Sequence, residues 1–226
     1  YNGTAQNSIF GTPKKENSAP SAATISGSSG GSPTNTQQPT ANNQQQAPAK
    51  ILINEIQITG GSGQANNEFI ELYNPNDFTI DLTTLPLKFH IRNSSGNDDH
   101  KPLTFINTII PAKGYFLIGP ASGYTGTVSL DATYSASGNK LVNNGGAYIS
   151  KRISADTDIL DKVGWGTQPT GGYETSPFTE NPGANQSIQR KFDSSTSSRF
   201  IDIDNNAQDF EIQSCPSPKA QTCQQA

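Results

Sequence analysis

The chain is 226 residues long, with apolar residues at 31%, 15 basic against 19 acidic side chains and a formal net charge of −4. The apolar share lies below the ~45–50% (glycine included) of ordinary globular domains, and the excess polarity sits at the front, so one domain behind a polar tail is expected rather than two domains. The negative balance offers no broad positive field to phosphate backbones or anionic lipid, which argues against a nucleic-acid partner, and no apolar run reaches the ~18 residues that span a bilayer.

Up to Pro48 the sizeable apolar side chains are Tyr1, Ile9, Phe10 and Ile25, too few to offset the entropy of ordering the segment. Gly27-Ser28-Ser29-Gly30-Gly31 and the polar tract over residues 37–48 read as flexible linker. Residues 1–49 are therefore expected to be a disordered, low-complexity tether and residues 50–226 the folded domain. The chain opens on Tyr1 and contains no methionine, which reads as a start codon removed together with a leader or anchor.

From Lys50 the text changes. Ile51-Leu52-Ile53-Asn54-Glu55-Ile56-Gln57-Ile58 is rich in β-branched residues and predicts the first strand. Gly60-Gly61-Ser62-Gly63 turns the chain into Glu68-Phe69-Ile70-Glu71-Leu72-Tyr73, whose apolar groups on both faces suit a central strand, and Asn74-Pro75-Asn76-Asp77 stops it. Further strands are predicted over residues 85–91, 103–106, 115–118, 140–142, 147–153, 159–165, 186–192 and 210–212, and no window shows a helical period. Short strands without intervening helices argue for an all-β sandwich or barrel. Pro111-Ala112-Lys113-Gly114 and Asn143-Asn144-Gly145-Gly146 are turn signals, and hairpins are expected at both. Residues 93–101 and 166–185 read as long loops, the places where a sandwich carries its recognition surfaces.

Four of these pieces stand in a telling order: Ile53-Asn54-Glu55-Ile56, then Glu68 through Pro75, Asp81-Leu82, and Ile110-Pro111-Ala112-Lys113-Gly114-Tyr115-Phe116-Leu117-Ile118. Together they resemble the bacterial branch of the lamin tail domain. Gly145-Gly146, Asp161-Lys162-Val163-Gly164-Trp165-Gly166, Ser187-Ile188-Gln189-Arg190 and Asp204 through Phe210 extend the resemblance, which runs from Ile51 to Ser217. It implies an immunoglobulin-like β-sandwich without catalytic residues, of the kind found as an accessory module on secreted or surface proteins and beside hydrolase domains. The long heptad-repeat rod of nuclear lamins is missing, which turns the reading away from filaments. Leu85-Pro86-Leu87 stands where the family often has a tryptophan and reads as a core substitution.

Each chemical signal has a plainer alternative. His90 and His100, with Asp98 and Asp99, fit a metal or acid–base site, but a solvated polar loop is the preferred reading. Glu55, Glu68 and Glu71 form an oxygen-rich set, with outward or edge carboxylates paired to Lys or Arg preferred over calcium. Asp202, Asp204 and Asp209 resemble a calcium loop in composition yet lack the glycine and closing glutamate of an EF-hand, so turn and capping roles come first. No cofactor is expected, with calcium as the alternative. Trp165, between two glycines, suits an exposed aromatic platform, against the weightier expectation of core packing. With Tyr124, Tyr134, Tyr173 and Phe178, which lie in Gly-, Ser- and Pro-rich surroundings, it completes the set of binding-loop candidates. Cys215 and Cys223 are expected to form a local disulfide, which implies an oxidising compartment. No nucleophile elbow, HExxH or Walker loop occurs in a supporting context.

The resulting expectation is a non-catalytic binding module, secreted or displayed at the cell surface, with a protein or polysaccharide partner there. A structural protein that self-associates through sheet edges or the tail is one alternative, and an accessory targeting domain of an extracellular hydrolase is another.

Overall fold

Short strands rich in apolar and β-branched residues build the molecule chiefly as two sheets face to face. The computed structural model describes residues 49–138, 140–151, 158–167, 171–193, 195 and 200–221. The expected tether lies outside them apart from Ala49, and so does Cys223, so the disulfide expectation falls outside as well.

The chain forms β1 (Leu52–Gln57), β2 (Phe69–Tyr73), β3 (Ile80–Asp81), β4 (Lys88–Arg92), β5 (Asp98–Lys101), β6 (Leu103–Phe105), β7 (Ile109–Ile110), β8 (Tyr115–Pro120), β9 (Ala132–Tyr134), β10 (Gly146–Ser150), β11 (Ile159–Gly164), β12 (Ser187–Arg190), α1 (Asn206–Asp209) and β13 (Phe210–Gln213). A seven-stranded sheet runs β13-β12-β1-β2-β8-β9-β6, a four-stranded sheet β11-β10-β4-β5, and β3 pairs with β7 alone. Neighbouring strands are antiparallel except β8 and β9.

The core lies between the two large sheets. Ile53, Ile56, Ile70, Leu72, Phe116 and Ile118 come from one side, and Phe89, Ile91, Ala147, Ile149 and Val163 from the other, all in one buried apolar cluster. This is the all-β sandwich expected. β1 and β2 are buried on both faces because a second layer covers the outer side of the large sheet: Phe200 with Leu52 and Tyr73 at one end, and the C-terminal residues around Ser217 at the other. In β1 the register with β2 slips between Ile53 and Glu55. The extra residue, Asn54, forms a bulge that restores the inward aim of Ile56.

Some expectations need correction. Residues 140–142 form no strand; Leu141 reaches the core from irregular chain. Residues 93–101 are a tight hairpin rather than a long loop. Asn93 Oδ1 accepts from the backbone N–H of Ser95 and Asn97, Gly96 donates its N–H to the Asn93 carbonyl, and Arg92 clasps Asp98 across the strands at 2.9 Å. β5, written Asp-Asp-His-Lys, has no apolar alternation to betray it, and its charges guard a sheet edge against pairing with other chains. The turns at residues 111–114 and 143–146 are present, with Lys113 and Asn144 at φ 53° and 56°, but neither closes a hairpin. The first passes from β7 to β8, which belong to different sheets, and the second enters β10 from irregular chain. Turn chemistry reverses the chain locally; it does not choose which strands pair.

Trp165 is fully buried. Its Nε1 donates to the Val142 carbonyl at 2.8 Å, and its ring lies so close to Gly145 that a Cβ there would sit 2.9 Å from Cζ2 and 2.6 Å from the Val142 oxygen. Trp165→Ala is expected to cost about 3–5 kcal/mol and Gly145→Ala about 1–3 kcal/mol, read as shifts of the urea midpoint followed by circular dichroism.

Candidate functional site

Where the β1 bulge ends the pairing with β12, the backbone of Ile53 is left facing the sandwich interior. Two side chains complete it. Asp161 of β11 accepts from the Ile53 N–H, and Arg190 of β12 donates Nε to the Ile53 carbonyl at 2.8 Å. Arg190 Nη2 also meets both oxygens of Asp161 at 2.9 Å, so a charge-assisted pair bridges the two sheets. The sequence carries the cue: in Ile188-Gln189-Arg190, strand alternation puts the arginine on the same core-facing side as Ile188.

Further carboxylates gather on the same guanidinium. Nη1 reaches Asp202 at 3.1 Å and Asp209 at 3.2 Å, and Glu174 lies 4.0 Å from Nη2. The guanidinium also covers the Phe210 ring at 4.7 Å, a cation–π contact. Lys50 pairs with the other oxygen of Asp202. Burial and the neighbouring Asp161 push Glu174 up to about 8, so it is largely protonated at neutral pH and trims the negative excess. Asp202 also bears the penalty of burial, yet Arg190 and Lys50 hold it below the usual carboxylate value. Burial raises Asp209 despite the donors of Asn205, Ile203 and Arg190. One oxygen each of Glu174, Asp202 and Asp209 lies within 4.8 Å of the others, but the cation set among them is Arg190. Of the calcium-like set, Asp202 and Asp209 turn onto Arg190, while Asp204 stands exposed at φ 56°.

Asp202 also lines a surface cleft of about 240 Å³ whose walls include Lys50, Leu52, Pro75, Phe200 and Ile203. Phe200 is the inner member of an aromatic series on the outer face of the large sheet. It meets Tyr73 edge-on at 4.9 Å, Tyr73 meets Tyr115 at 5.4 Å, and Phe192 meets Phe200 at 6.0 Å. Phe192 and Ile203 stand 46% and 57% exposed. The volume lies below the ~300–1,000 Å³ of small-molecule pockets and suits one protruding side chain or sugar ring. Neither Phe192 nor Phe200 drew notice in the sequence, since nothing in Lys191-Phe192-Asp193 or Arg199-Phe200-Ile201 says that the two segments meet.

The binding-loop candidates scatter. Tyr134, Trp165 and Phe178 are core residues: for Trp165 this is the weightier expectation of core packing, and Tyr134 and Phe178 are withdrawn as contact surface. The Tyr134 hydroxyl donates to Glu68 at 2.9 Å, and Trp165 and Phe178 are bridge partners. Tyr124 and Tyr173 remain half-exposed, and the Tyr124 hydroxyl donates to the Val128 carbonyl at 2.8 Å. His90 and His100 do not lie in a solvated loop. They face each other across β4 and β5, with His90 buried, stacked on Tyr148 at 4.2 Å and hydrogen-bonded to Ser150. Asp98 is committed to Arg92 and Asp99 to Lys101. Glu55, Glu68 and Glu71, expected as outward or edge carboxylates, are all buried: they point at the C-terminal segment and Tyr134 rather than at water.

Arg190→Met leaves Asp161, Asp202 and Asp209 without their shared counter-charge and is expected to destabilise the protein by about 3–5 kcal/mol at pH 7.5. The carboxylates then take up protons more readily folded than unfolded, so the deficit relative to wild type narrows as the pH is lowered toward 5. Urea melts at both pH values check this. Arg190→Lys retains the charge but not the three nitrogens that reach the Ile53 carbonyl, Asp161, Asp202 and Asp209 at once and is expected to fall between the two.

Among solved structures, the fold is similar to a DUF4876 family protein from Bacteroides thetaiotaomicron VPI-5482, with a TM-score of 0.50 over 72% of this chain and 70% of that one at 10% sequence identity, a likeness of fold alone. No curated protein matches the chain. The family model of the lamin tail domain matches residues 44–167. That stretch carries β1 through β11, while β12 and β13, beyond it, complete the large sheet against β1. With more than half of its length matched in this way, the chain belongs to the lamin tail domain family.

Proposed function

We propose that this lamin tail domain is a non-catalytic binding module working outside the cytoplasm, held on its N-terminal segment and engaging a protein or polysaccharide of the cell surface. The observation that carries the reading is the cleft beside Lys50. Phe192 and Ile203 extend apolar surface at and beside its rim, Phe200 and Tyr73 back it with packed aromatic rings, and the Arg190 cluster fixes Asp202 in its wall. A rigid aromatic wall with one charged pair is the composition of an interaction hot spot. The cysteine pair near the C-terminus supports an oxidising compartment, and no helix among the described residues is long and apolar enough to cross a membrane. An accessory targeting role beside a hydrolase uses the same surface.

The test is co-sedimentation with purified bacterial cell envelope. The wild type is expected to bind saturably and Phe192→Ser/Ile203→Ser to bind at least tenfold more weakly, with an unfolding midpoint close to wild type. Equal binding by both proteins, or none by either, removes the cleft as the contact surface.

Self-association through a sheet edge is favoured by one observation. At β6, an edge of the large sheet, Phe105 and Ile106 are 36% and 68% exposed, and residues 103–110 carry no charge, so nothing opposes pairing with another copy. On that reading, light scattering shows a mass that rises with concentration, and Ile106→Lys returns it to the monomer.

A further inference from the structure

On the outer face of the large sheet, β13, β12, β1, β2 and β8 place Glu211, Gln189, Glu55, Glu71 and Leu117 in one cross-strand row. Glu55 and Glu71 are direct partners, fully buried. Residues 214–219 cross above them as a strap, and the strap is fastened chiefly to these two side chains. Glu55 Oε1 accepts from the Ser217 N–H at 2.9 Å and from the Ser187 hydroxyl. Glu71 accepts from the Lys219 N–H at one oxygen and from Asn54 Nδ2 at 2.9 Å at the other. Gln189 adds a bond to the Ser217 hydroxyl at 3.0 Å. The Lys219 ammonium lies at the rim, where it pairs with Asp131 at 2.8 Å.

Two carboxylates in direct cross-strand register, out of water and without a cation between them, cannot both be ionised at small cost. Among the described residues, the charged groups around them are Lys219 on the strap, Asp131 at its end and Glu211 on β13; β12 and β8 present Gln189, Ser187 and Leu117. The donors are unequal, since Glu55 receives three hydrogen bonds and Glu71 two, so the proton belongs on Glu71. A second observation agrees. Asn54 Oδ1 is buried with no hydrogen-bond partner among the described residues, and an amide turned end for end would offer that oxygen to a protonated Glu71.

We propose that the C-terminal strap is a proton-governed latch, closed while Glu55 and Glu71 share one proton and released when that proton is lost. Burial pushes Glu55 up to about 7, and burial with the Glu55 charge pushes Glu71 up to about 8. Both carboxyls are raised above their unfolded values. The stabilisation they provide is therefore complete only below the ordinary glutamate value of about 4.5, shrinks as the pH rises above it, and is gone once the pH has passed through 7 to 8. Release uncovers the carboxylate row and takes Pro216 and Pro218 away from the groove they share with Tyr124 and Phe69.

Hydrogen exchange of the Ser217 and Lys219 amides in the full chain, corrected for intrinsic rates and compared with core amides of β2, tests the latch. In the wild type, protection of these two amides is expected to fall at least tenfold between pH 6.5 and 9 while the β2 amides hold. Either Glu71→Gln or Glu55→Gln leaves the pair with at most one negative charge and only the shift that burial gives the remaining carboxyl, so protection is expected to change clearly less than in the wild type, by no more than about fourfold over that range. Should Glu71→Gln fail to fold, Glu55→Gln carries the comparison alone. Wild-type protection that is flat with pH, or that falls equally in the glutamine variant, overturns the proposal.

Discussion

The buried ion pair between Arg190 and Asp161 is the constraint on which much of this sandwich depends. A bulge at Asn54 keeps the inward alternation of β1, but it takes Ile53 out of the ladder with β12. A buried backbone N–H and C=O without partners would be costly. Asp161 and Arg190 supply the missing partners from opposite sheets and tie the sheets together in doing so. Once a guanidinium is buried there, its remaining donors need acceptors, and the segment from Asp202 to Asp209 is drawn over it to provide them. The short helix Asn206–Asp209 follows from that demand. Asn206 in turn is buried against the free edge of β11, accepting from the Gly164 N–H and donating to the Lys162 carbonyl, which closes the edge to other chains.

The same segment shapes the proposed contact surface. Phe200 and Ile201 are carried onto the outer face of the large sheet by the chain that feeds Asp202 to Arg190, and Phe200 meets Tyr73 and Leu52 there. The cleft is thus a by-product of how a buried charge is satisfied. Ile203 in its wall and Phe192 beside it, packed on Phe200, keep about half of their surface exposed, which leaves that surface to a partner. The wall behind them is rigid, because moving Asp202 would strip an acceptor from Arg190.

The outer face is polar at its other end for a related reason. Glu55 and Glu71 lie on the side of β1 and β2 away from the core, where a one-layer sheet would leave them in water. The C-terminal strap shuts them in, and its Ser217 and Lys219 amides become their donors. Arg190 is balanced by several carboxylates, whereas Glu55 and Glu71 have no guanidinium between them. The first arrangement tolerates ionisation; the second is balanced by a proton.

Strand after strand was legible in the text because short runs of β-branched and apolar residues, such as residues 51–58 and Phe69–Tyr73, are bounded by turn residues. The family motifs were legible because their order survives as order along the chain. Local chemistry also marked the chain reversals at residues 111–114 and 143–146. What those turns join was not written locally, and neither was β5, whose strand character comes from its neighbour β4 rather than from its own Asp-Asp-His-Lys. The aromatic residues divide for the same reason: Tyr134 and Phe178 sit in glycine-, serine- and proline-rich text that looks like loop, yet partners far along the chain bury them. The sequence by itself determined an all-β, lamin-tail domain. Only the tertiary structure decided that Arg190 meets four carboxylates, that Phe192 meets Phe200 beside a cleft and that Glu55 faces Glu71. Each of these depends on segments brought together across strands, and side-chain alternation says which way a residue points but not what it meets there.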